Sequence, residues 1–168
     1  MTQMTSAMAA KELKKLNDQH DALTSRESKS AVFTAATQEN VEVVRPAYDF
    51  GETLNELEAI EKKIRALKHS INTFNLTQEV PGFDMTIDQL LVYIPQLTAS
   101  RRKLERMRDR LPKERCERSY ASNIVEYDYA NYDIRQAEKE YLRVTEELAK
   151  AQNALDKVNS TVTFEVDI

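Results

Sequence analysis

The chain has little glycine, one cysteine and no long apolar run, and each scarcity excludes a class of protein. The lone cysteine, Cys116, excludes an intramolecular disulfide and indicates a reducing compartment. No apolar run approaches the roughly 18 residues at which a transmembrane helix is expected. The N-terminus lacks the basic start and the apolar core of a signal peptide. We therefore expect a cytoplasmic protein that has no membrane partner.

Catalytic and cofactor-binding motifs are also missing. There is no G-x-S-x-G, no H-E-x-x-H and no G-x-x-x-x-G-K-[ST] pattern. His20 and His69 fall in different predicted helices, where we expect a packed and a solvated imidazole, whereas a metal needs several convergent ligands. Cys116 has no histidine nearby in the sequence to serve as its base, so an inert thiol is expected. We expect no enzyme activity, no cofactor and no bound metal.

Charge is unevenly distributed along the chain. The net charge of −4 provides no overall basic field for nucleic acid. Residues 101–118 nevertheless contain seven arginines and two lysines against four acidic residues, a local charge of +5 that leaves −9 for the remainder. Acidic and basic residues alternate within this segment, as on a solvated, salt-bridged helix face. This pattern disfavours a nucleic-acid partner.

Two hydrophobic stripes with helical spacing dominate the rest of the sequence. One follows intervals of three and four residues without a break, and the other nearly does. The stripes consist of Ile134, Ala137, Tyr141, Val144, Leu148, Ala151, Leu155 and Val158, and of Leu54, Leu57, Ile60, Ile64, Leu67, Ile71 and Phe74. A heptad pattern over roughly seven turns predicts a long helix packed along another helix. Low glycine agrees with this prediction.

Four helices are expected from hydrophobic spacing together with the residues that cap or end helices. Their expected ranges are about 6–26, 49–75, 86–112 and 134–158.

Capping signals mark the starts of the last three helices. Each start carries a capping box, in which two side chains bind the unpaired amides of the first turn. The boxes are Asp49 with Glu52, Thr86 with Gln89, and Asp133 with Gln136. Pro95 lies inside the third helix and removes a backbone donor, so we expect a kink or a break there.

Short extended segments complete the pattern. Valines and a phenylalanine within residues 30–45 predict a hairpin or an extended arm. Val125, Tyr127 and Tyr129 alternate with acidic residues and predict a second extended segment. The C-terminal tail alternates from Val162 onward and predicts a strand with one apolar face. A lone strand is unstable in water, so the tail must pair with residues 30–45, with residues 119–129 or with another subunit.

These features predict a mainly α fold. We expect one domain over residues 1–168, built as an antiparallel, coiled-coil-like bundle of long helices. Residues 30–45 and the C-terminal strand are expected to form a small β element. Helices of this length bury one stripe each within the chain, so a homo-oligomer is expected to cover further apolar surface.

The order of short motifs resembles that of a known group. An I-N-x-x-N helix end begins at Ile71, an R-R-x-L stretch begins at Arg101, an R-S-x-x-S-x-I segment begins at Arg118, and an L-D-x-V-N-S-T helix end begins at Leu155. This order is similar to that of small bacterial and phage-encoded helical proteins called septicolysin-like. The resemblance implies an oligomer of α-helical hairpins, and it brings no functional residues. The name implies membrane damage, for which the sequence offers neither a charge-free amphipathic stretch nor a cysteine motif.

Arg101 and Arg108 occupy positions where the apolar pattern of the third helix predicts leucine. A buried charge is costly unless it is paired. Either the two arginines pair with acidic residues of a neighbouring helix, or remain exposed beyond the end of a partner, or they form an anion pocket. The planar guanidinium fork suits phosphate or carboxylate.

A tyrosine-rich segment directly follows this basic helix. Its residues with recognition chemistry are Tyr120, Asn123, Tyr127, Tyr129, Asn131 and Tyr132. Tyrosine combines a flat apolar ring with a hydroxyl group, which suits binding surfaces. The tyrosines either cover the ends of the bundle or form a binding surface. Together with Arg101 and Arg108 they could form a pocket for a nucleotide-type ligand, or a protein interface.

Two functions follow from these residues. The first is a non-enzymatic, oligomeric interaction protein whose loops and β elements hold a protein partner or a neighbouring subunit. The alternative is a protein that binds or sequesters a small nucleotide-type anion. Its ligand-binding residues would be Arg101, Arg108, Tyr120, Asn123, Tyr127, Tyr129 and Asn131.

Overall fold

The computed structural model describes residues 2–116 and 125–167. The chain divides into two compact units, unit 1 (Met1–Thr77 and Val158–Ile168) and unit 2 (Gln78–Lys157). The elements in chain order are β1 (Thr2–Thr5), α1 (Ser6–Ser30), α2 (Val41–Val44), α3 (Phe50–Thr77), α4 (Ile87–Arg108), β2 (Lys113–Arg115), β3 (Tyr127–Tyr129), α5 (Ile134–Thr161) and β4 (Thr163–Val166). The fold is mainly α with small β elements, as predicted, and the β elements are two antiparallel strand pairs. The single domain stays a prediction.

Unit 1 is built on the antiparallel pair α1 and α3. The direction follows from two cross-helix contacts, since His20 contacts Glu61 while Arg26, further along α1, contacts Glu56, which lies earlier in α3. The predicted stripe of α3 packs against α1 in the core of this unit. Its buried residues are Ala9, Leu16, Leu67 and Val166, and Met4, Leu13, Ile60, Ile64, Ile71 and Phe164 pack against them.

The C-terminal strand pairs with the N-terminus of the same chain. Thr2 lies opposite Val166 and Met4 opposite Phe164 in the antiparallel β1–β4 pair. The partner within the chain is therefore neither residues 30–45 nor the described part of residues 119–129, and pairing with another subunit stays a prediction. Residues 2–5 lack the apolar alternation that would have predicted a strand, and the pair is instead stabilised by the core, on which Met4 and Phe164 both pack.

Residues 30–45 do not form the predicted β element. The valine-rich part is the short helix α2, whose start is capped because the Asn40 side chain accepts a hydrogen bond from the Glu42 amide at 3.1 Å. Glu42 also pairs with Arg45 at 2.8 Å. These local polar contacts outweigh the strand preference of valines that are exposed and have no neighbouring strand, such as Val43.

Unit 2 contains α4, most of α5 and the β2–β3 pair. The Tyr93 hydroxyl donates to Glu147 and the Tyr132 hydroxyl donates to the Met107 carbonyl, both at 2.8 Å, so α4 and α5 run antiparallel. The heptad stripe of α5 is confirmed, because six of its eight positions are buried. Those six are Ala137, Val144, Leu148, Ala151, Leu155 and Val158, the last of which belongs to unit 1.

The expected starts of the long helices are confirmed, while two features of α4 differ from expectation. The capping box of Thr86 and Gln89 is present. Of the kink or break expected at Pro95, the break is wrong, because α4 continues through this residue, and the kink stays a prediction. Pro95 is exposed, so its ring lies on the solvent side of the helix. α4 ends at Arg108 rather than at Pro112, where the following residues enter β2.

Strand β3 confirms the extended segment predicted around Tyr127 and Tyr129. Its partner β2 was not predicted, since Lys113–Arg115 lacks apolar alternation. The register places Lys113 opposite Tyr129, Glu114 opposite Asp128, and Arg115 opposite Tyr127. Among the described residues, no helix has an apolar stretch long enough to cross a membrane.

Candidate functional site

Arg101 is a half-buried cation on the core side of α4. The heptad register of this helix leads from the buried Leu90 and Leu97 to Arg101. Its Nε atom is buried and has no hydrogen-bond partner. Among the described residues, no acidic side chain forms an ion pair with Arg101, so the pairing expected from a neighbouring helix is not found there. A buried guanidinium nitrogen without a partner retains unused capacity to bind an anion.

Arg108 lies seven residues after Arg101, about two helical turns further along α4, and it has partners of its own. Its guanidinium carbon lies 3.8 Å from the centroid of the Tyr141 ring, and its Nε lies 3.2 Å from Asp109 Oδ1. The side chain is 31% exposed. Stacking on Tyr141 holds the guanidinium group in place without neutralising it. Tyr141 was recognised in the sequence only as a stripe position, and its interaction with Arg108 depends on the packing of α4 against α5.

Tyr127 and Tyr129 lie on one face of the β2–β3 hairpin. Their rings are 45% and 65% exposed, so neither covers a buried core. The Lys113 ammonium lies 4.1 Å from the Tyr127 centroid and 5.4 Å from the Tyr129 centroid. Lys113 was not among the predicted site residues, and the antiparallel register that brings it to these rings could not be read from the sequence.

The remaining predicted residues have different surroundings. Asn131 is exposed, just after the hairpin. Tyr132 covers the end of the helical pair, as one of the two interpretations expected, and donates to the Met107 carbonyl. Tyr120 and Asn123 lie outside the described residues. Within the part of unit 2 that the structure describes, no hydrogen bond, ion pair or cation–π contact is found between Arg101 or Arg108 and Tyr127, Tyr129 or Asn131.

The predicted site is thus two separate sets of contacts. One set is Arg108 with Tyr141, and Arg101 lies seven residues earlier on the same helix. The other is the exposed hairpin face with Lys113, Tyr127 and Tyr129. Each set includes a residue that the sequence did not predict, Tyr141 in the first and Lys113 in the second. Both take part through contacts between elements that are separated in the chain.

α4 also carries an exposed stripe that was not predicted from the sequence. Asp88, Val92, Pro95, Ala99 and Arg102 follow one another at intervals of four, three, four and three residues, and all are exposed. We call these five residues the outer face of α4. Within the described part of the chain, neither Asp88 nor Arg102 forms an ion pair. The apolar positions of this face are flanked by Leu91, which is 47% exposed.

A cleft of about 480 Å³ in unit 1 has the wrong charge for an anion. It is lined by Glu27, Asp49, Glu52 and Glu56, with Arg26 as its cation. Arg26 pairs with Glu56 at 3.7 Å. Tyr48 at the same cleft donates to Glu27, and this hydrogen bond raises the pKa of the Tyr48 hydroxyl. The cleft therefore does not coincide with the predicted anion site.

The groups considered for metal binding and catalysis are not assembled with one another. His20 is half-buried and contacts Glu61 and Asp21 at 3.4 and 3.6 Å, and His69 is exposed. No group of three or more metal-ligating side chains is found in residues 2–116 and 125–167. The Tyr93 hydroxyl donates to Glu147, and this hydrogen bond, with burial, raises the pKa of Tyr93. That contact joins α4 to α5 and serves packing.

Comparison with known proteins shows the fold alone. No family model and no curated protein matches the sequence. Among solved structures, the chain is similar to a functionally unknown conserved protein from Corynebacterium diphtheriae, with 19% sequence identity and a TM-score of 0.59. The similarity covers 98% of this chain and 100% of the other. The resemblance to septicolysin-like proteins stays a prediction.

Proposed function

We propose that this protein is a non-enzymatic helical interaction protein that associates with copies of itself. The single observation that supports the proposal best is the outer face of α4. Its three central positions, Val92, Pro95 and Ala99, are apolar and lie on one face of the helix, yet the described structure leaves them exposed. An exposed stripe of this kind is stabilised when a second helix covers it.

A second copy of the same helix fits this face. In an antiparallel pair centred on Pro95, residues at equal distances on either side of the centre lie opposite each other. Asp88 then faces the partner's Arg102, about 10 Å from the centre at 1.5 Å per residue, and Leu91 faces the partner's Ala99. Two opposite-charge pairs flank an apolar centre, which is the self-complementarity that a two-fold interface requires. Pro95 and Ala99 are small enough to allow close approach.

The oligomeric mass provides the test. Light scattering after size exclusion is expected to give a mass above that of the 19.4 kDa chain. Val92→Glu introduces a charge at the centre of the face and is expected to reduce the assembly. Val43→Glu is the matched control, because Val43 is also exposed but lies in α2, and it should leave the mass unchanged.

A charge exchange makes the test specific to the proposed register. Asp88→Arg and Arg102→Glu each place like charges opposite one another and should weaken the assembly. The double variant restores opposite charges and should recover it. A wild-type protein with the mass of one chain, or a double variant no better than either single variant, would contradict the proposal.

The alternative function, binding of a small nucleotide-type anion, is favoured by Arg101. Its buried Nε has no partner in the structure, and Arg108 lies one heptad away with its guanidinium held against Tyr141. Inorganic phosphate and mononucleotides are the probes. Either is expected to raise the melting temperature of the wild-type protein, because a ligand that binds only the folded state stabilises it.

Matched variants distinguish anion binding at Arg101 and Arg108 from a general effect of positive charge. Arg101→Lys keeps the charge but loses the planar fork, and it should reduce the shift in melting temperature caused by phosphate. Arg110→Ala removes an exposed arginine just beyond α4 and should leave that shift intact. Equal shifts in wild type, Arg101→Lys and Arg108→Ala would contradict an anion site at these arginines.

A further inference from the structure

The β2–β3 hairpin has two faces of opposite chemistry. Residues directly opposite each other in an antiparallel pair project to the same face, and neighbours along a strand project to opposite faces. The register therefore places two cations and two rings on one face, which we call the aromatic–basic face: Lys113, Arg115, Tyr127 and Tyr129. Glu114 and Asp128 lie opposite each other on the other face.

The aromatic–basic face is available to a ligand. All six residues of the two strands are exposed. Tyr129 is 65% exposed, and Lys113 lies closer to Tyr127 than to Tyr129, which leaves the Tyr129 ring the freer of the two. Arg115 forms no ion pair within the described residues. Two rings, one guanidinium group and one ammonium group are thus presented together to solvent.

We propose that this face binds a nucleotide unit, meaning an aromatic base that carries a phosphate. The base stacks on Tyr129, since every base has a flat face that an aromatic side chain can cover. The phosphate binds Arg115 and Lys113 through charge-assisted hydrogen bonds. On the opposite face, the carboxylates of Glu114 and Asp128 repel phosphate, which restricts the ligand to one side of the hairpin.

Two ligands share this chemistry, a free mononucleotide and a single-stranded nucleic acid. The net charge of −4 does not attract a polyanion over a distance, so recognition at this face depends on stacking and short-range contacts. The inference goes beyond self-association, because the hairpin shares no residue with the outer face of α4.

Isothermal titration calorimetry with adenosine monophosphate and with a short oligodeoxyadenylate tests the assignment. The wild-type protein is expected to bind at least one of them. Tyr129→Ala and Arg115→Ala are each expected to weaken binding about tenfold, in line with the loss of one stacked base or one phosphate contact. Tyr129→Phe keeps the ring and should bind like wild type. Arg110→Ala is the control for general positive charge.

Variants on the opposite face of the hairpin should raise the affinity for the nucleotide instead of lowering it. Glu114→Gln together with Asp128→Asn removes the repulsive carboxylates and relieves a like-charge cross-strand pair, so binding should strengthen severalfold. If Tyr129→Ala disturbs the fold, Tyr129→Leu removes the aromatic face while keeping an apolar side chain of similar reach, and it should show the same loss.

Each result supports or overturns the assignment. Binding of adenosine monophosphate identifies a free nucleotide, and binding of the oligonucleotide alone identifies a strand. No heat of binding from either ligand, or equal affinity in wild type, Tyr129→Ala and Arg115→Ala, would overturn it. The oligomeric mass of Tyr129→Ala should equal that of wild type, and Val92→Glu should keep its affinity for the nucleotide, so this assignment and self-association fail separately.

Discussion

Phe74 and Phe164 stack with their ring centroids 4.5 Å apart and an angle of 19° between their planes. Phe74 lies near the end of α3, and Phe164 lies in β4, at a sequence distance of 90 residues. The contact attaches the C-terminal strand to the helical core of unit 1. Since β4 pairs only with the short strand β1 in the described structure, this stack adds to the stability of the strand.

Phe164→Ala is expected to lower the free energy of unfolding by about 2–3 kcal/mol. The figure is below that for a fully buried phenylalanine, because Phe164 is only partly buried. Urea denaturation followed by circular dichroism measures the change. Phe50→Ala is the control, since the Phe50 side chain is 64% exposed and its loss should have little effect. Similar losses in both variants would contradict a stabilising role for the stack.

Truncation after Val162 removes β4 and is expected to destabilise unit 1 without changing the oligomeric mass. The strand pairs with β1 of its own chain, and Val166 belongs to the core of that unit. Thermal denaturation and light scattering on the same sample measure the two effects. A folded protein of reduced oligomeric mass would show that the tail contributes to assembly instead.

Thr86→Ala is expected to cost about 1 kcal/mol by removing the N-cap of α4. The Gln89 amide donates to the Thr86 hydroxyl at 3.4 Å, and the Thr86 amide donates to the Gln89 side chain at 2.9 Å. The matched control is Thr34→Ala, which removes an exposed threonine outside the helices. An unfolding free energy for Thr86→Ala that equals the value for Thr34→Ala would contradict the role of this cap.

The Tyr93–Glu147 contact predicts a dependence of stability on alkaline pH. Its hydrogen bond raises the pKa of Tyr93 in the folded protein above the ordinary value of 10.0. The stabilisation is therefore complete below the pKa of the unfolded chain and is lost as the pH rises through the higher pKa of the folded protein. Glu147→Gln should move the pKa of Tyr93 back towards its ordinary value.

Spectrophotometric titration of tyrosine ionisation checks this shift. The difference between wild type and Tyr93→Phe isolates the Tyr93 transition, which should lie at a lower pH once Glu147→Gln is introduced. A Tyr93 transition at the same pH with and without Glu147 would contradict the assigned cause.

Local patterns predicted the helices well because the interactions that form them are short in sequence. The buried positions of α5 follow from its heptad spacing, and the capping box at Thr86 involves residues three apart. The strand pairs were harder, since β1 has no apolar alternation and its partner lies at the other end of the chain. Exposed Val43 shows the converse case, in which a strand-forming residue lies in a short helix because no strand is available beside it.

The candidate site shows the same division between local pattern and distant contact. The sequence identified Arg101, Arg108, Tyr127 and Tyr129 by residue type and position. It did not predict that the arginines and the tyrosines have different partners. Arg108 contacts Tyr141, whereas Tyr127 contacts Lys113.

The sequence by itself determined a mainly α protein with long helices, two long apolar stripes and an excess of arginine after residue 100. Periodicity, capping and composition act within a few residues, so they can be read along the chain. Only the tertiary structure decided that β4 pairs with β1, that Arg108 stacks on Tyr141, and that Lys113 lies against Tyr127. These contacts join residues that are separated in the chain, and burial and cross-strand pairing stabilise them whatever that separation is, so local patterns do not predict them.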